Sequence, residues 1–511
     1  MSSIRSFSST LLLALLPLGF LIVMVVAPLV ALAFYDGSAW GGVLRDDYMQ
    51  HLILWTVFQA LATCVLVGIL GVPAAWVLAR LDFRGRALVL RLLMLPFVMP
   101  TLVAGMGVLA LFGTNGAVWA GWQDTPYLLI YGNVFFNLPV LVRSAYQGFV
   151  RVPQARLLSA QSLGADAWRR FVWVEWPVVR AWVAGGACLV FLYCFSGFGL
   201  ALLLGGERFA TVEVEIYRLV AYELDMARAS VLVWLVLAVT AAAGGLYAYW
   251  SKRVAVDKSV SPLPPRAPIW AWEKWLTATV LAMLAVCCLL PLAAVWLKAV
   301  SAGSSWAVLL EAQTWAAVWN TIRFSAAAVA AATVLGVLYA AAARQMAWLR
   351  ALMFLPFMVS PVCIAFGVLL LYPQWTASLW LLTATYALLA YPFVAKDVLA
   401  AWDGLPKDYA AAARTMGANA FQTACYVTAP LLKPALRRGL TLASATCIGE
   451  FAATLFLSRP EWQTLTTLIY DYLGRAGADN YGRAMVLTAV LTALALTAFL
   501  LVDEAEGQKA V

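Results

Sequence analysis

The chain has 511 residues, of which 64% are hydrophobic and only 12% charged, where a soluble domain carries about 25% charged residues. That composition excludes a soluble globular enzyme. The formal charge of +9 could suggest a nucleic-acid partner, but the basic residues are dispersed between apolar runs, so the charge reads as membrane topology and no nucleic acid is expected.

In chain order, apolar runs long enough to cross about 30 Å of hydrocarbon lie near 11–34, 52–79, 87–112, 127–150, 181–204 and 230–250, and again near 275–298, 317–341, 350–372, 376–399, 439–457 and 484–502. Backbone polar groups in lipid must be satisfied within the segment, so each run predicts a helix. The fold class is an all-α polytopic membrane protein with about 12 transmembrane helices. The lead "MSSIRSFSST" reads as a short soluble segment. The first run is too long and leucine-rich for a cleaved signal and reads as an anchor. With both termini inside, 25 of the 34 Lys and Arg residues fall in the segments this alternation places in the cytoplasm, as the positive-inside rule requires. Eight cysteines are scattered, nearly all of them in apolar runs, and the single histidine, His51, sits at the outer edge of a span. No metal-ligand spacing is present, and no metal or catalytic centre is expected.

Between the sixth and seventh runs lies "SKRVAVDKSVSPLPPRAPIWAWEK", a cytoplasmic linker over 251–274 with four prolines and five basic residues. It separates two repeats, 1–250 and 275–511. Gly164 and Gly417 are 253 positions apart, and the same offset links Pro139 with Pro392, Pro153 with Pro406, Pro177 with Pro430, Phe198 with Phe451, Thr211 with Thr464 and Tyr217 with Tyr470. Near the front the spacing drifts: "LPFVMP" at Leu95 faces "LPFMVSP" at Leu355 with 260. Six spans in each copy keep both in the same orientation, and parallel repeats of this kind place a path between halves. The mid-span prolines break backbone hydrogen bonds and give helices a place to bend.

Each copy presents one polar loop on the cytoplasmic side, over 151–180 and 404–434. The first holds "LLSAQSLGADAWRRFVWVEWP" and the second "AAARTMGANAFQTACYVTAP". The central glycine allows a tight turn at φ > 0 between two short helices. Small residues before it, Ser159 and Ala160, and Ala411, Ala412 and Ala413, leave a shallow surface for another protein's side chains. Leu163 and Ala165 flank the first glycine, Met416 and Ala418 the second, and Trp168, Arg169, Arg170 and Phe421 suit an interface rim. Two such loops would dock two copies of a partner; an amphipathic helix lying on the membrane is the alternative.

This spacing resembles the cytoplasmic signature E-A-A-x3-G-x9-I-x-L-P of permease subunits of ATP-binding-cassette importers. Gly164, Val174, Trp176 and Pro177 fit its second part, as do Gly417, Val427, Ala429 and Pro430, whereas Leu158 and Ala411 stand where the glutamate belongs. The resemblance implies that the loops are coupling helices seated on two copies of an ATPase subunit. It also implies a periplasmic solute-binding protein on the outer face and a place in the bacterial inner membrane. The chain has no G-x-x-x-x-G-K-[ST] segment. ATP and Mg are therefore expected on the partner ATPase and no cofactor on this chain, which is expected to be a translocation pore and not an enzyme. The outer loops 205–229 and 458–483 are candidates for the binding protein, the first carrying Glu207, Glu213, Glu215, Glu223 and Asp225.

Charges inside spans are costly and mark function. Glu450 in "TCIGEFAATLF" is the clearest, and its counterpart at the 253 offset is Gly197. Glu450, Asn137 and Ser196 are candidate path residues; a structural glutamate bonded across a helix interface is the alternative for the first. Fused two-copy permeases of this length resemble two subfamilies, the thiamine importers and the ferric-iron importers. "VFFNLPVLVR", "FVWVEWPVVR", "EVEIYRLVAYELDMARAS" and "CIGEF" look most like the thiamine permeases. This implies thiamine or its phosphate ester as cargo, whose cationic ring is compatible with Glu450. A secondary transporter also uses six-span repeats, but would need ion-coupling charges in several spans and has no reason to duplicate the glycine-centred loop.

Overall fold

The computed structural model describes residues 14–35, 39–93, 95–253, 263–353, 355–375 and 378–503; the soluble lead and residues 254–262 of the linker lie outside them. Among the described residues every extended element is helical, and one isolated β-bridge joins Leu81 to Arg266. The opening helix α1 (Ala14–Leu32) is followed by α2 (Asp47–Arg80), α3 (Thr101–Phe112), α4 (Pro126–Val150), α5 (Gln154–Ser162), α6 (Trp176–Phe195), α7 (Phe198–Leu204), α8 (Val212–Arg218) and α9 (Met226–Arg253). The series then repeats as α10 (Ala271–Val300), α11 (Ala312–Gln345), α12 (Pro361–Leu371), α13 (Leu379–Gly404), α14 (Lys407–Thr415), α15 (Ala429–Ile448), α16 (Ala452–Leu457), α17 (Leu465–Gly474) and α18 (Ala478–Asp503).

Two compact units result, and they do not divide at the linker. A central unit holds Asp36–Ser301, and a C-terminal unit holds Met1–Tyr35 together with Ala302–Val511. The opening helix of each repeat is thus exchanged: α10 packs against α3 in the central unit, and α1 against α12 in the C-terminal unit. Glycine makes both contacts close. A Cβ on Gly107 would lie 2.6 Å from the carbonyl oxygen of Pro291, and one on Gly367 would lie 2.9 Å from Cβ of Pro28.

Nine of the described helices are long and apolar enough to cross a membrane. The expected spans 87–112 and 350–372 are not continuous. The first is divided into Arg86–Leu92, Leu95–Val98 and Thr101–Phe112, the second into Ala347–Leu352, Leu355–Met358 and Pro361–Leu371. The paired proline motifs cause the breaks, because proline lacks an N–H and clashes with the carbonyl four residues earlier. The expected spans 181–204 and 439–457 are also interrupted, at Ser196–Gly197 and over 449–451. Lys433, Arg437 and Arg438 fall in the first part of α15, which explains why it is the least apolar of the long helices.

Proline has a second effect. Four widened, π-helical turns, Ile22–Val26, Phe171–Glu175, Ala285–Leu289 and Ala424–Thr428, each stand two residues before Pro28, Pro177, Pro291 or Pro430. The extra residue relieves the clash and lets the helix continue at a changed angle. The helices α2 and α11 have 34 residues each and run for about 51 Å at about 1.5 Å per residue, against about 30 Å of hydrocarbon. Each is therefore longer than the hydrocarbon is thick, and the C-terminal turn of α2 is joined to the first cytoplasmic loop through Arg80 and Glu175.

Gly107→Val and Gly367→Val force side-chain carbons into Pro291 or Pro28 of the exchanged helix. Each is expected to lower stability by about 1–3 kcal/mol, read as a lower Tm of the detergent-purified chain; an unchanged Tm would show that the exchanged helices are held elsewhere.

Candidate coupling loops and path residues

The two cytoplasmic loops have the same geometry. In the first, α5 ends as Gly164 turns into the left-handed region at φ +78°. Its N–H donates to the Gln161 carbonyl and that of Ala165 to the Ala160 carbonyl, both at 3.0 Å. In the second, Gly417 has φ +87°, and the N–H groups of Gly417 and Ala418 donate to Arg414 and Ala413 at the same distance. Both are paired 5→2 and 6→1 closures of a helix C-terminus. No heavy atom would meet a Cβ at either glycine, so the backbone angle alone selects the residue type.

A new helix starts two residues later by side-chain capping. Asp166 Oδ1 accepts from the Arg169 N–H at 2.7 Å. In the second loop Asn419 and Gln422 cap each other, at 2.8 and 2.9 Å. The widened turns before Pro177 and Pro430 then carry the chain into α6 and α15.

This frame exposes apolar side chains at matching positions. Leu163 is 87% and Met416 84% exposed, and Trp168, Phe421, Trp173 and Tyr426 are also exposed; each successive pair is related by the 253 offset. Ser159, Ala412, Pro177 and Pro430 lie on the same open surface, Ala160, Ala165 and Ala418 are half-buried, and Ala413 is buried. Trp173 and Tyr426 escaped the sequence reading, although the offset that pairs the glycines also pairs them.

The first loop is held by a buried ion pair. Arg80 Nε donates to Glu175 Oε1 at 2.7 Å with both side chains only 6% exposed, and Trp76 Nε1 donates to Glu175 Oε2 at 3.0 Å. At the 253 offset Glu175 corresponds to Thr428, and the last residue of α11, matching Arg80, is Gln345.

The three path candidates occupy different settings. Glu450 lies in the break between α15 and α16, where its Oε1 accepts the Ala453 N–H at 2.9 Å and its carbonyl accepts from the Thr466 hydroxyl at 3.1 Å. It caps a short helix inside the C-terminal unit. Asn137 is buried in the central unit, donating to the Asn133 carbonyl (2.9 Å) and Cys194 Sγ (3.3 Å). Asn133 in turn donates to Gln59 Oε1 at 2.7 Å, and Gln59 to the Cys194 carbonyl at 2.9 Å. Gln59 and Asn133 were missed in sequence because they are far apart along the chain. The Ser196 hydroxyl donates to the Leu192 carbonyl at 2.6 Å, closing the end of α6.

On the outer side the acidic loop is less open than its composition suggests. Glu213 and Glu215 are buried. Glu215 accepts from the Tyr48 hydroxyl at 2.9 Å, and burial pushes its carboxyl above the ordinary range, an effect opposed by Tyr48 and Arg218. Glu207 and Glu223 are exposed, and Asp225 accepts the Arg228 N–H at 3.0 Å. The matching left-handed turns here are Leu224 (φ +57°) and Gly477 (φ +116°). Among the described residues no group of three His, Cys, Asp or Glu side chains could hold a metal ion.

A twice-repeated helical unit with proline-broken spans and one glycine-centred cytoplasmic loop per copy defines a duplicated membrane permease. The chain belongs to the family of binding-protein-dependent transport system inner membrane components, whose profile matches residues 68–256 and 332–503, well over half of the sequence and once in each repeat. It is thus the permease of an ATP-binding-cassette importer. Three similar proteins are thiamine transport system permeases. That of Salmonella typhimurium is 28% identical over 500 residues, covering 93% of this chain and 92% of the relative. The Escherichia coli protein is 27% identical, covering 92% and 91%, and the Brucella abortus protein 27%, covering 97% and 95%.

Removing one member of a buried ion pair leaves an uncompensated charge and costs about 3–5 kcal/mol. Arg80→Ala is therefore expected to lower the unfolding midpoint sharply, whereas the charge-free pair Arg80→Met with Glu175→Gln stays near the parent value; equal midpoints for all three would rule out a desolvated pair.

Proposed function

We propose that this permease moves thiamine or its phosphate ester into the cytoplasm. The solute is received from a periplasmic binding protein, and the driving force comes from two copies of an ATPase subunit that binds ATP and Mg and docks at the loops around Gly164 and Gly417. The observation that carries the docking is the recurrence of one loop geometry with three exposed apolar side chains at matching positions in both copies. Small residues at Ser159, Ala160 and Ala412 let a partner approach the backbone, whereas Ala413 is buried, and Leu163 and Met416 supply the protruding apolar contact. The cargo reading is supported by the names of relatives that match the chain almost end to end.

The outer loops 205–229 and 458–483 are the proposed seat of the binding protein. Glu450, Asn137 and Ser196 are proposed path residues, with Glu450 facing the cationic part of the cargo. Because Glu450 also caps α16, its two roles separate by substitution. Glu450→Gln keeps an acceptor for the Ala453 N–H and should leave stability within about 0.5 kcal/mol, whereas Glu450→Ala loses the cap at about 1 kcal/mol. A fall in uptake with Glu450→Gln at unchanged stability supports the charge role; unchanged uptake leaves only the cap.

The direct test is uptake of labelled thiamine, beside labelled ferric iron, in cells lacking the chain and in cells with it restored. Thiamine uptake should be lost and rescued; rescue of iron uptake alone would overturn the cargo. Leu163→Asp with Met416→Asp should abolish uptake and co-purification of the ATPase while the protein remains in the membrane. Retained co-purification would place the dock elsewhere.

A further inference from the structure

One guanidinium holds both ends of the first coupling loop. Arg80, the last residue of α2, donates from Nη2 to the Phe149 carbonyl at 3.1 Å, where α4 runs into the loop. From Nε it donates to Glu175 at 2.7 Å, where the loop leaves for α6. Trp76, one turn back on α2, binds the other carboxylate oxygen at 3.0 Å. The whole of 151–175 is therefore bracketed by a single side chain on a single helix.

The inter-repeat linker is fastened at the same place. The Asp82 N–H donates to the Arg266 carbonyl at 2.7 Å, and the Arg266 N–H to the Arg80 carbonyl at 3.1 Å. Arg266 grips the buried Glu273 with two bonds, at 2.5 and 3.1 Å, and Glu273 also accepts the Ile269 and Trp270 N–H groups at 2.8 and 3.2 Å. Trp272 stacks on Trp76 with ring centroids 6.1 Å apart. The other repeat is built differently. Arg344 lies over the Trp402 ring at 5.3 Å, and the exposed Arg350 pairs with Asp403 at 2.7 Å. Both contacts hold the incoming side of the second loop, and the outgoing position has the uncharged Thr428.

We infer that Arg80 is a positioning residue that makes the first coupling loop and α2 move as one body, so that the two loops transmit ATPase motion unequally. The inference rests on the proposed docking of the ATPase at these loops. A desolvated, two-sided charge clamp resists sliding, because any partial separation leaves buried charge unpaired. Displacement of Leu163 or Trp168 by a docked partner is passed to the end of α2 and to the linker. Around the second loop the exposed pair is screened by water and yields more easily.

The test uses the complete complex of permease, ATPase and binding protein, and reads amide hydrogen exchange with and without a non-hydrolysable ATP analogue. In the unaltered complex nucleotide should change exchange both in 151–175 and over the last cytoplasmic turns of α2. In Arg80→Met with Glu175→Gln, which removes both charges together, the loop response should persist while the α2 response falls several-fold, with the ATPase still bound. Glu175→Gln alone lowers stability by leaving Arg80 without its counter-charge, but keeps an acceptor for Trp76 and in the folded, ATPase-bound complex should show the same separation. An undiminished α2 response in folded, ATPase-bound variants would overturn the inference. If no ATPase co-purifies with the unaltered chain, the docking reading fails first and the inference falls with it.

Discussion

Hydrocarbon offers no hydrogen-bond partner, so each backbone N–H or C=O left unpaired within it costs several kcal/mol. The architecture follows from meeting that demand while still allowing helices to break. At two breaks in the second repeat, a nearby polar side chain takes up a freed donor. The Ser360 hydroxyl accepts the Val362 N–H at 3.1 Å at the start of α12, and Glu450 does the same for α16. The widened turns before Pro28, Pro177, Pro291 and Pro430 are the alternative solution, rerouting carbonyls within the helix.

Much of this was legible in the sequence, for reasons that can be named. The loops could be placed because a left-handed turn selects glycine and a rerouted helix selects proline, and both leave residue-specific marks at Gly164, Gly417, Pro177 and Pro430. The order of the apolar segments followed from run length, and nine of the described helices are long enough to span. Continuity did not: summed hydrophobicity over 87–112 hides the breaks that Pro96 and Pro100 impose. The exchange of α1 and α10 is invisible to periodicity, since an apolar helix surface does not say which neighbour it meets; only Gly107 and Gly367, cut to admit a proline-bearing helix, hint at it. The clamp was hidden too. Arg80 and Glu175 are 95 positions apart, and each reads alone as one more cytoplasmic charge.

Duplication supplied two similar frames, and charge has since been redistributed between them. The parts that set backbone geometry match closely: both glycine turns, both caps, both widened turns. The parts that carry charge do not. Glu450 faces Gly197 across the repeat relation, Glu175 faces Thr428, and Arg80 faces Gln345. The polar cluster of Gln59, Asn133 and Asn137 in the central unit corresponds in part to Tyr386, whose hydroxyl bonds to that of Thr454 in the C-terminal unit. Backbone form is retained while side-chain chemistry diverges, as expected when two halves share a task but meet different surroundings.

The exchanged helices also bear on biosynthesis. The central unit, Asp36–Ser301, is one uninterrupted stretch and can close as soon as it has emerged from the ribosome. The C-terminal unit cannot: it needs α1, made first, and residues from Ala302 onward, made last. At about 5–20 residues per second, α1 waits in the bilayer for tens of seconds before its own neighbours exist. A helix of that kind must tolerate lipid on every side for a time and still be recognised later by α12. The absence of polar side chains in α1, with Pro28 and Leu32 fitted against Gly367, meets both requirements.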